Sequence, residues 1–121
     1  MTQTILTVDD SRTMRDMLRM ALAEAGFNVL QAVDGVDDLE VLQRSTPDVI
    51  VTDINMPKMD GFGLIEAVRQ DSRYRKVPIL VLTTESDSAK KLRAKEAGAT
   101  GWIVKPFEPT KLIAAIRRVA A

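Results

Sequence analysis

The chain has 121 residues, and its 17 basic and 17 acidic side chains cancel. This length suits a single domain over residues 1–121. Cysteine and histidine are both absent from the sequence, which excludes disulfides, thiolate or imidazole metal ligands, Ser/His/Asp triads and an internal phosphohistidine. No segment approaches the roughly 18 apolar residues of a membrane span, and the N-terminus lacks the pattern of a signal peptide. We therefore expect a cytoplasmic protein without membrane insertion.

The charges are unevenly placed along the chain. Residues 1–60 carry eleven acids and five bases, whereas residues 61–121 carry six acids and twelve bases. The bases are dispersed and no aromatic residues alternate with them, so the pattern does not indicate a nucleic-acid partner. The acidic first half is the better indication of a functional site.

Short apolar runs alternate with amphipathic segments five times. The runs are rich in valine, isoleucine and leucine without polar alternation, as is typical of strands covered on both faces. The second run is the least apolar and is predicted to be an edge strand. The five predicted strands are residues 5–8, 28–33, 48–53, 78–84 and 101–106.

Five helices are predicted between and after these strands. Gly26 and Gly98 are placed to end the first and fourth helices. The fourth, from about Ser86 to Ala97, has Leu92 as its single large apolar residue, and we expect it to be the most weakly anchored. Apolar residues at helical spacing define the other four: Met14, Met17, Leu18, Ala21 and Leu22; Val36, Leu39 and Leu42; Leu64, Ile65 and Val68; Leu112, Ile113, Ile116 and Val119.

This alternation predicts an α/β fold with a parallel sheet and right-handed crossovers. Five βα units are too few for an eight-stranded barrel, so an open, doubly wound, three-layer sandwich remains. In such sheets, ligands bind beyond the carboxyl ends of the strands. The site is therefore expected at that edge.

Polar residues follow the predicted strands at this edge. Two carboxylates ~4 Å apart repel by about 4 kcal/mol at an effective dielectric of 20, so a cluster of three needs a cation. An all-oxygen carboxylate cluster suits Mg²⁺ or Mn²⁺ better than zinc. Capping of the following helices is the simpler alternative for any single aspartate. The residues at the strand ends are Asp9, Asp10, Asp53, Thr83, Thr84 and Lys105.

A carboxylate beside a divalent cation and an ammonium group is a suitable nucleophile towards phosphorus. Enzymes form aspartyl phosphates by this route, and the cationic groups stabilise the transferring phosphoryl oxygens. The Thr83 hydroxyl is a candidate hydrogen-bond donor to the phosphoryl group. No glycine-rich nucleotide-binding loop occurs in the sequence.

The segments "VDD", "VTDINMPKMDG", "LTTES" and "GWIVKPF" resemble, in order and spacing, the motifs of two-component receiver domains. The similarity covers essentially the whole chain and is strongest to single-domain, CheY-like chemotaxis regulators. It implies a flavodoxin-like five-stranded parallel sheet with strand order 2-1-3-4-5. It also implies a phosphorylation switch rather than a conventional enzyme, with only self-catalysed phosphotransfer and autodephosphorylation.

The resemblance assigns expected roles to single residues of the acidic site. Asp53 is the expected phosphoacceptor. Asp10 is expected to bind Mg²⁺ directly, Asp9 through water, and Asn55 through its backbone carbonyl. Lys105 is expected to pair with the phosphoryl group.

The resemblance extends to the switch and output positions. Thr83 is the expected switch hydroxyl and Trp102 stands at the switch-aromatic position. Thr84 is expected to narrow access to the acceptor, and Glu85, with Asn55, to adjust the phosphoryl lifetime. The Lys105-Pro106 peptide bond is expected to be cis.

The expected partners are a CheA-like histidine kinase, a flagellar motor switch protein or another signalling target, and a phosphatase. The protein itself is expected to be a monomer. An output face on the fourth helix, fifth strand and fifth helix would suit an acidic partner. No effector domain is expected after Ala121, so the output is expected to be binding. A phosphate sink or phosphorelay intermediate is the nearest alternative. A haloacid-dehalogenase-like phosphatase would want an acid where Asn55 stands, and an inert pseudo-receiver would lack part of the charged set. The bases on or around the output face are Lys90, Lys91, Arg93, Lys95, Lys111, Arg117 and Arg118.

Overall fold

Strands and helices alternate along the chain as the sequence pattern predicts. The computed structural model describes residues 2–56 and 58–120. In chain order its elements are β1 (Thr4–Val8), α1 (Arg12–Glu24), β2 (Asn28–Ala32), α2 (Gly35–Arg44), β3 (Val49–Thr52), α3 (Gly61–Gln70), β4 (Ile79–Thr83), α4 (Ser88–Ala97), β5 (Gly101–Val104) and α5 (Pro109–Ala120).

The strands form one parallel sheet in the order β2-β1-β3-β4-β5. The predicted doubly wound, flavodoxin-like fold is therefore confirmed, and β2 is an edge strand as expected. Val8 of β1 stands beside Thr52 of β3, and Thr83 of β4 beside Val104 of β5. This register brings the carboxyl ends of four adjacent strands to one edge of the sheet.

Alternate residues of the central strands enter two different cores, because successive side chains of a strand point to opposite faces. Leu6, Ile50 and Val81 pack with side chains of α2, α3 and α4. Ile5 and Val51 pack with α1 and α5 on the opposite face. The molecule is thus a three-layer sandwich in which both faces of the sheet are covered, which explains the apolar strands.

Polar side chains begin the helices and glycines follow two of them. Ser11, Asp34, Asp60 and Asp87 each accept a hydrogen bond from a backbone N–H of the first turn of their helix. Gly26 and Gly98 follow α1 and α4 with φ of 94° and 119°. These left-handed conformations favour glycine, so the two predicted helix ends are confirmed.

Helix α4 has little apolar anchorage, as expected for a helix with a single large apolar residue. Leu92 is 55% exposed, and Ala94 is the residue that α4 buries. Polar contacts to α3 supplement this packing: Arg69 Nε donates to the Gly98 carbonyl at 3.0 Å, and the Arg93 guanidinium lies 4.0 Å from the centre of the Phe62 ring.

Two other residues from the predicted apolar faces are also outside the core. Met17 of α1 is 50% exposed and Val36 of α2 is 41% exposed. Helix α2 instead buries Asp38 beside Leu42. Across the residues that the structure describes, no helix has both the length and the apolar character needed to span a bilayer.

Candidate functional site

Four strand ends bring the predicted site residues to one edge of the sheet. Asp9 and Asp10 follow β1, Asp53 follows β3, Thr83 ends β4, and Lys105 follows β5. The backbone continues the parallel ladder into these residues, since the Asp53 N–H donates to the Val8 carbonyl at 3.0 Å and the Lys105 N–H to the Thr83 carbonyl at 2.7 Å. The positions of these side chains are therefore fixed by the sheet register.

Lys105 lies between two of the carboxylates. Its Nζ is 2.8 Å from Asp9 Oδ2 and 2.9 Å from Asp53 Oδ2. The side chains of the three residues are 10%, 2% and 11% exposed, respectively. Burial lowers the pKa of Lys105, but the hydrogen bonds and charges of Asp9 and Asp53 prevail and raise it above its ordinary value. The ammonium therefore stays charged and compensates two buried carboxylates.

The remaining oxygen of Asp53 faces backbone donors. Asp53 Oδ1 accepts hydrogen bonds from the N–H of Ile54 at 2.6 Å and of Asn55 at 3.4 Å. Together with Lys105 at Oδ2, these contacts fix the orientation of the carboxylate. Such charge-assisted contacts hold a nucleophile in one geometry before it reacts.

Asp9 and Asp10 differ in their surroundings. Asp9 Oδ1 accepts from the Ser11 N–H at 2.9 Å while Oδ2 binds Lys105, so both its oxygens are engaged. Asp10 is exposed. One oxygen from each of Asp9, Asp10 and Asp53 lies within 4.8 Å of the others. This all-oxygen donor set fits a hard divalent cation such as Mg²⁺ or Mn²⁺.

The loop after β4 places hydroxyl and carboxyl groups beside this cluster. Thr83 is fully buried, and its Oγ1 accepts a hydrogen bond from the Glu85 N–H at 3.3 Å. Thr84 is exposed and Glu85 is half-buried. The Lys105-Pro106 peptide bond, on the other side of the site, is cis.

Glu85 links three segments around the site. Its Oε1 accepts from Asn55 Nδ2 at 3.4 Å and from Lys90 Nζ at 3.0 Å, and its backbone carbonyl accepts from Trp102 Nε1 at 3.1 Å. The Lys90 hydrogen bond is the main reason that the pKa of Glu85 is lowered. Sequence reasoning treated Lys90 as a surface base. Its position five residues after Glu85, in the first turn of α4, was the available signal.

The predicted output face has fewer free bases than the sequence indicated. Lys90 pairs with Glu85, Arg93 lies on Phe62, and Arg117 lies over Phe27 next to α1 rather than at β5. Lys91 and Lys95 line a groove of about 420 Å³ between α4 and β5. Its complete lining is Ser88, Lys91, Leu92, Ala94, Lys95, Ala99, Thr100, Gly101 and Trp102.

Comparison with known proteins agrees with this architecture. The chain is 43% identical over 110 residues to the chemotaxis protein CheY1 of Helicobacter pylori, which covers 89% of each chain. It also aligns with the structure of the chemotaxis response regulator CheY4 of Vibrio cholerae, with a TM-score of 0.93, 45% identity, and coverage of 98% of this chain and 99% of that one.

A third relative is a receiver domain solved with a metal. It belongs to the sensor histidine kinase PA1611 of Pseudomonas aeruginosa, whose structure has a magnesium ion coordinated in the active-site cleft. The TM-score is 0.91 and the identity 26%, over 99% of this chain and 98% of that one. By contrast, the chain spans about half the length of curated relatives named as probable transcriptional regulators.

The family model for the response regulator receiver domain matches residues 5–117. The matched range includes the acidic cluster, Thr83 and Lys105. Receiver domains of this family are signalling switches that bind Mg²⁺ at an acidic pocket and interact with a histidine kinase and a downstream target. The chain belongs to the receiver-domain family of two-component response regulators, with CheY-like proteins among its relatives.

Proposed function

We propose that Asp53 accepts a phosphoryl group from a phosphohistidine on a CheA-like kinase. A carboxylate oxygen of Asp53 attacks phosphorus, the P–N bond to the donor imidazole breaks, and the imidazole leaves with that electron pair and takes up a proton. The observation that carries the proposal is Lys105 Nζ, within 3 Å of both Asp9 and Asp53 at a buried edge of the sheet.

The acidic cluster supports a role for Mg²⁺, with Mn²⁺ as a substitute. Asp10 and Asp53 are the proposed carboxylate ligands, joined by the Asn55 backbone carbonyl, and Asp9 is proposed to act through water because Lys105 and Ser11 engage its oxygens. When bound, the cation offsets repulsion between the carboxylates and the incoming phosphoryl oxygens.

Lys105 and Thr83 are proposed to bind the phosphoryl group once it is on Asp53. The Lys105 ammonium, which already contacts Asp53 Oδ2, neutralises phosphoryl charge. The Thr83 hydroxyl donates to a phosphoryl oxygen, and Thr84 and Glu85 border the opening. Hydrolysis then returns the carboxylate: water attacks phosphorus, the P–O bond to Asp53 breaks, and inorganic phosphate leaves.

The phosphoryl group carries a charge of about −1.5 to −2, while Asp53 gives up its own carboxylate charge on reacting. This change in the size and position of the negative charge is proposed to shift α4 and Trp102 between two arrangements. Helix α4 suits this role because its apolar packing is confined to the small residues Ala94 and Ala97, supplemented by the contacts of Arg69 with Gly98 and of Arg93 with Phe62. Trp102 connects β5 to the loop after β4 through its bond to the Glu85 carbonyl. The groove between α4 and β5, with Lys91 and Lys95 on it, is the proposed binding surface for an acidic segment of the target.

A role in chemotaxis, through binding to a flagellar motor switch protein, is the favoured output. It is supported by relatives named as chemotaxis proteins, which match over nearly their whole length. A different output is supported by the longer relatives named as transcriptional regulators. A phosphate sink or phosphorelay intermediate uses the same Asp53 chemistry.

Phosphorylation with acetyl phosphate and Mg²⁺ tests the central proposal. Intact mass spectrometry should show one added phosphoryl group that hydroxylamine removes, and Asp53→Asn should abolish it. Asp16→Asn, which changes an exposed aspartate of α1, is the matched control and should label normally. Labelling that persists in Asp53→Asn, or that survives hydroxylamine, would refute the mechanism.

A further inference from the structure

Helix α2 buries a carboxylate that has no partner. Asp38 is 0% exposed, and within residues 2–56 and 58–120 neither of its oxygens has a hydrogen-bond partner. The neighbouring acids differ: Asp34 Oδ1 accepts from the Asp37 N–H at 2.9 Å, and Asp37 Oδ2 from the Val33 N–H at 2.9 Å. Asp38 is therefore the unsatisfied member of an acidic group at the start of α2.

The surrounding elements supply no compensating cation in the described residues. Strand β2 has no ionisable side chain. Of the charged residues on α3, Glu66 is exposed, and the Arg69 guanidinium is directed to the carbonyls of the α3–β4 and α4–β5 connections. The loop between β3 and α3 carries three charged residues among those described: Asp53, which pairs with Lys105; Lys58, which is exposed; and Asp60, which caps α3.

Burial without a partner disfavours the charged form of a carboxyl group. Burial, with a smaller contribution from the charge of Asp37, raises the pKa of Asp38 to about 7. The group therefore changes charge near neutral pH inside a packed helix. Its ionised form needs water or a donor that the closed packing does not provide.

The start of α2 touches the loop that follows Asp53. The Gly35 N–H donates to the Met59 carbonyl at 3.3 Å. The two backbones are so close that a Cβ on Gly35 would lie 2.7–2.9 Å from atoms of Met59. Movement of the first turns of α2 therefore displaces the loop that also carries Asn55.

We propose that Asp38 makes α2 a proton-sensitive helix, which packs on the β3–α3 loop when the carboxyl is neutral and loosens from it when the carboxyl is ionised. As the pH rises and Asp38 ionises, the β3–α3 loop, which borders the acidic site, therefore becomes less well ordered. The effect of this change on phosphoryl transfer rests on the proposed function, whereas the change in helix packing does not.

Urea unfolding at several pH values tests the change in stability. Because the folded-state pKa lies above the unfolded value, the folded protein binds the proton more tightly, and stability falls as pH rises from about 4 to about 7. The unfolding equilibrium constant of the wild type should rise roughly 30-fold between pH 5.5 and pH 8 from this group alone. Asp38→Asn should lose this component, and Glu40→Gln, an exposed site on α2, should keep it.

Hydrogen exchange locates the change independently of phosphorylation. After correction for intrinsic exchange, protection of residues 35–42 and 58–60 should be lower at pH 8 than at pH 6 in the wild type and equal at both in Asp38→Asn. Asp38→Ala should show the same pH-independent protection as Asp38→Asn. Because two variants are compared, a folding defect in one of them does not decide the result. Equal pH dependence in wild type and both variants would overturn the proposal, even if Asp53 labelling behaves as expected.

Discussion

Two regions of this small domain bury carboxylates to a similar depth and treat them differently. At the carboxyl edge of the sheet, the side chains of Asp9 and Asp53 are 2% and 11% exposed and share the Lys105 ammonium. In α2, Asp38 is 0% exposed and has neither a cation nor a hydrogen-bond donor among the described residues. Carboxylates are buried in both regions, but among the described residues their negative charge is offset by a cation only at the edge of the sheet.

The difference follows from the backbone that carries each group. Parallel strands end at one edge, so acids and a lysine distant in sequence converge there, as Lys105 and Asp9 do. Asp38 lies inside a helix, where its own N–H is committed to the Asp34 carbonyl and the neighbouring side chains are apolar or acidic. Compensated carboxylates are suited to binding and chemistry, and an uncompensated one is suited to gaining and losing a proton.

Of the substitutions considered, replacing Lys105 should change stability most, because it removes the cation that distinguishes the edge of the sheet from α2. Lys105→Met leaves Asp9 and Asp53 buried and unpaired, and we expect the free energy of unfolding at pH 7 to fall by about 2–4 kcal/mol. Added Mg²⁺ should recover part of the loss, because it supplies charge to the same carboxylates. Urea unfolding with and without Mg²⁺ measures both effects.

Lys111→Met is the matched control, since the Lys111 side chain is 82% exposed. It should change stability by less than about 0.5 kcal/mol. The contribution of Lys105 is complete below about pH 10 and is lost as pH rises through its raised pKa. A Lys105 variant as stable as the control at pH 7 would mean that the ammonium does not compensate the acids.

Substitutions of the two aspartates after β1 should differ in how far they weaken Mg²⁺ binding, and this difference should be smaller than the effect of replacing Lys105. Asp10→Ala should weaken Mg²⁺ binding by about tenfold, or about 1.4 kcal/mol, because the exposed Asp10 is the proposed direct ligand. Asp9→Ala should weaken it only a few-fold, since Lys105 and Ser11 engage the Asp9 oxygens. Titration of Trp102 fluorescence with Mg²⁺ compares the variants. Equal losses would refute the division between direct and indirect binding.

The fold was predictable because its signals are local. Apolar runs mark the strands, glycines mark two helix ends, and the strand ends place Asp53 and Lys105 at one edge of the sheet. Strand order came from family resemblance, because crossover lengths do not determine which strands are neighbours.

Side-chain partners were not predictable in the same way. Leu92 is the single large apolar residue of α4 and is nevertheless exposed, because the rotation of a short helix with so little apolar surface is set by its neighbours, here Arg69 and Phe62. The isolation of Asp38 depends on the absence of donors from three surrounding elements, which no spacing in the sequence reveals.

The smallest effect is expected at the exposed pair of Lys90 and Glu85. Their side chains are 43% and 27% exposed, so solvent screens the attraction between them, unlike the buried Lys105 contacts. Lys90→Met should leave the Glu85 charge uncompensated beside the proposed path of attacking water. That charge disfavours the build-up of negative charge on the phosphoryl oxygens, so dephosphorylation should slow about two- to threefold.

The decay of phosphorylated protein after removal of acetyl phosphate measures this rate, with Lys91→Met as the neighbouring control on α4. Lys91 lines the groove, whereas it is Lys90 that pairs with Glu85, so the Lys91 variant should decay like the wild type. The effect of Lys90→Met should shrink in high salt, because the charges involved are partly exposed to solvent. An identical rate in both variants at low salt would show that Glu85 acts through Asn55 or the backbone, and that α4 does not influence phosphoryl lifetime through Lys90.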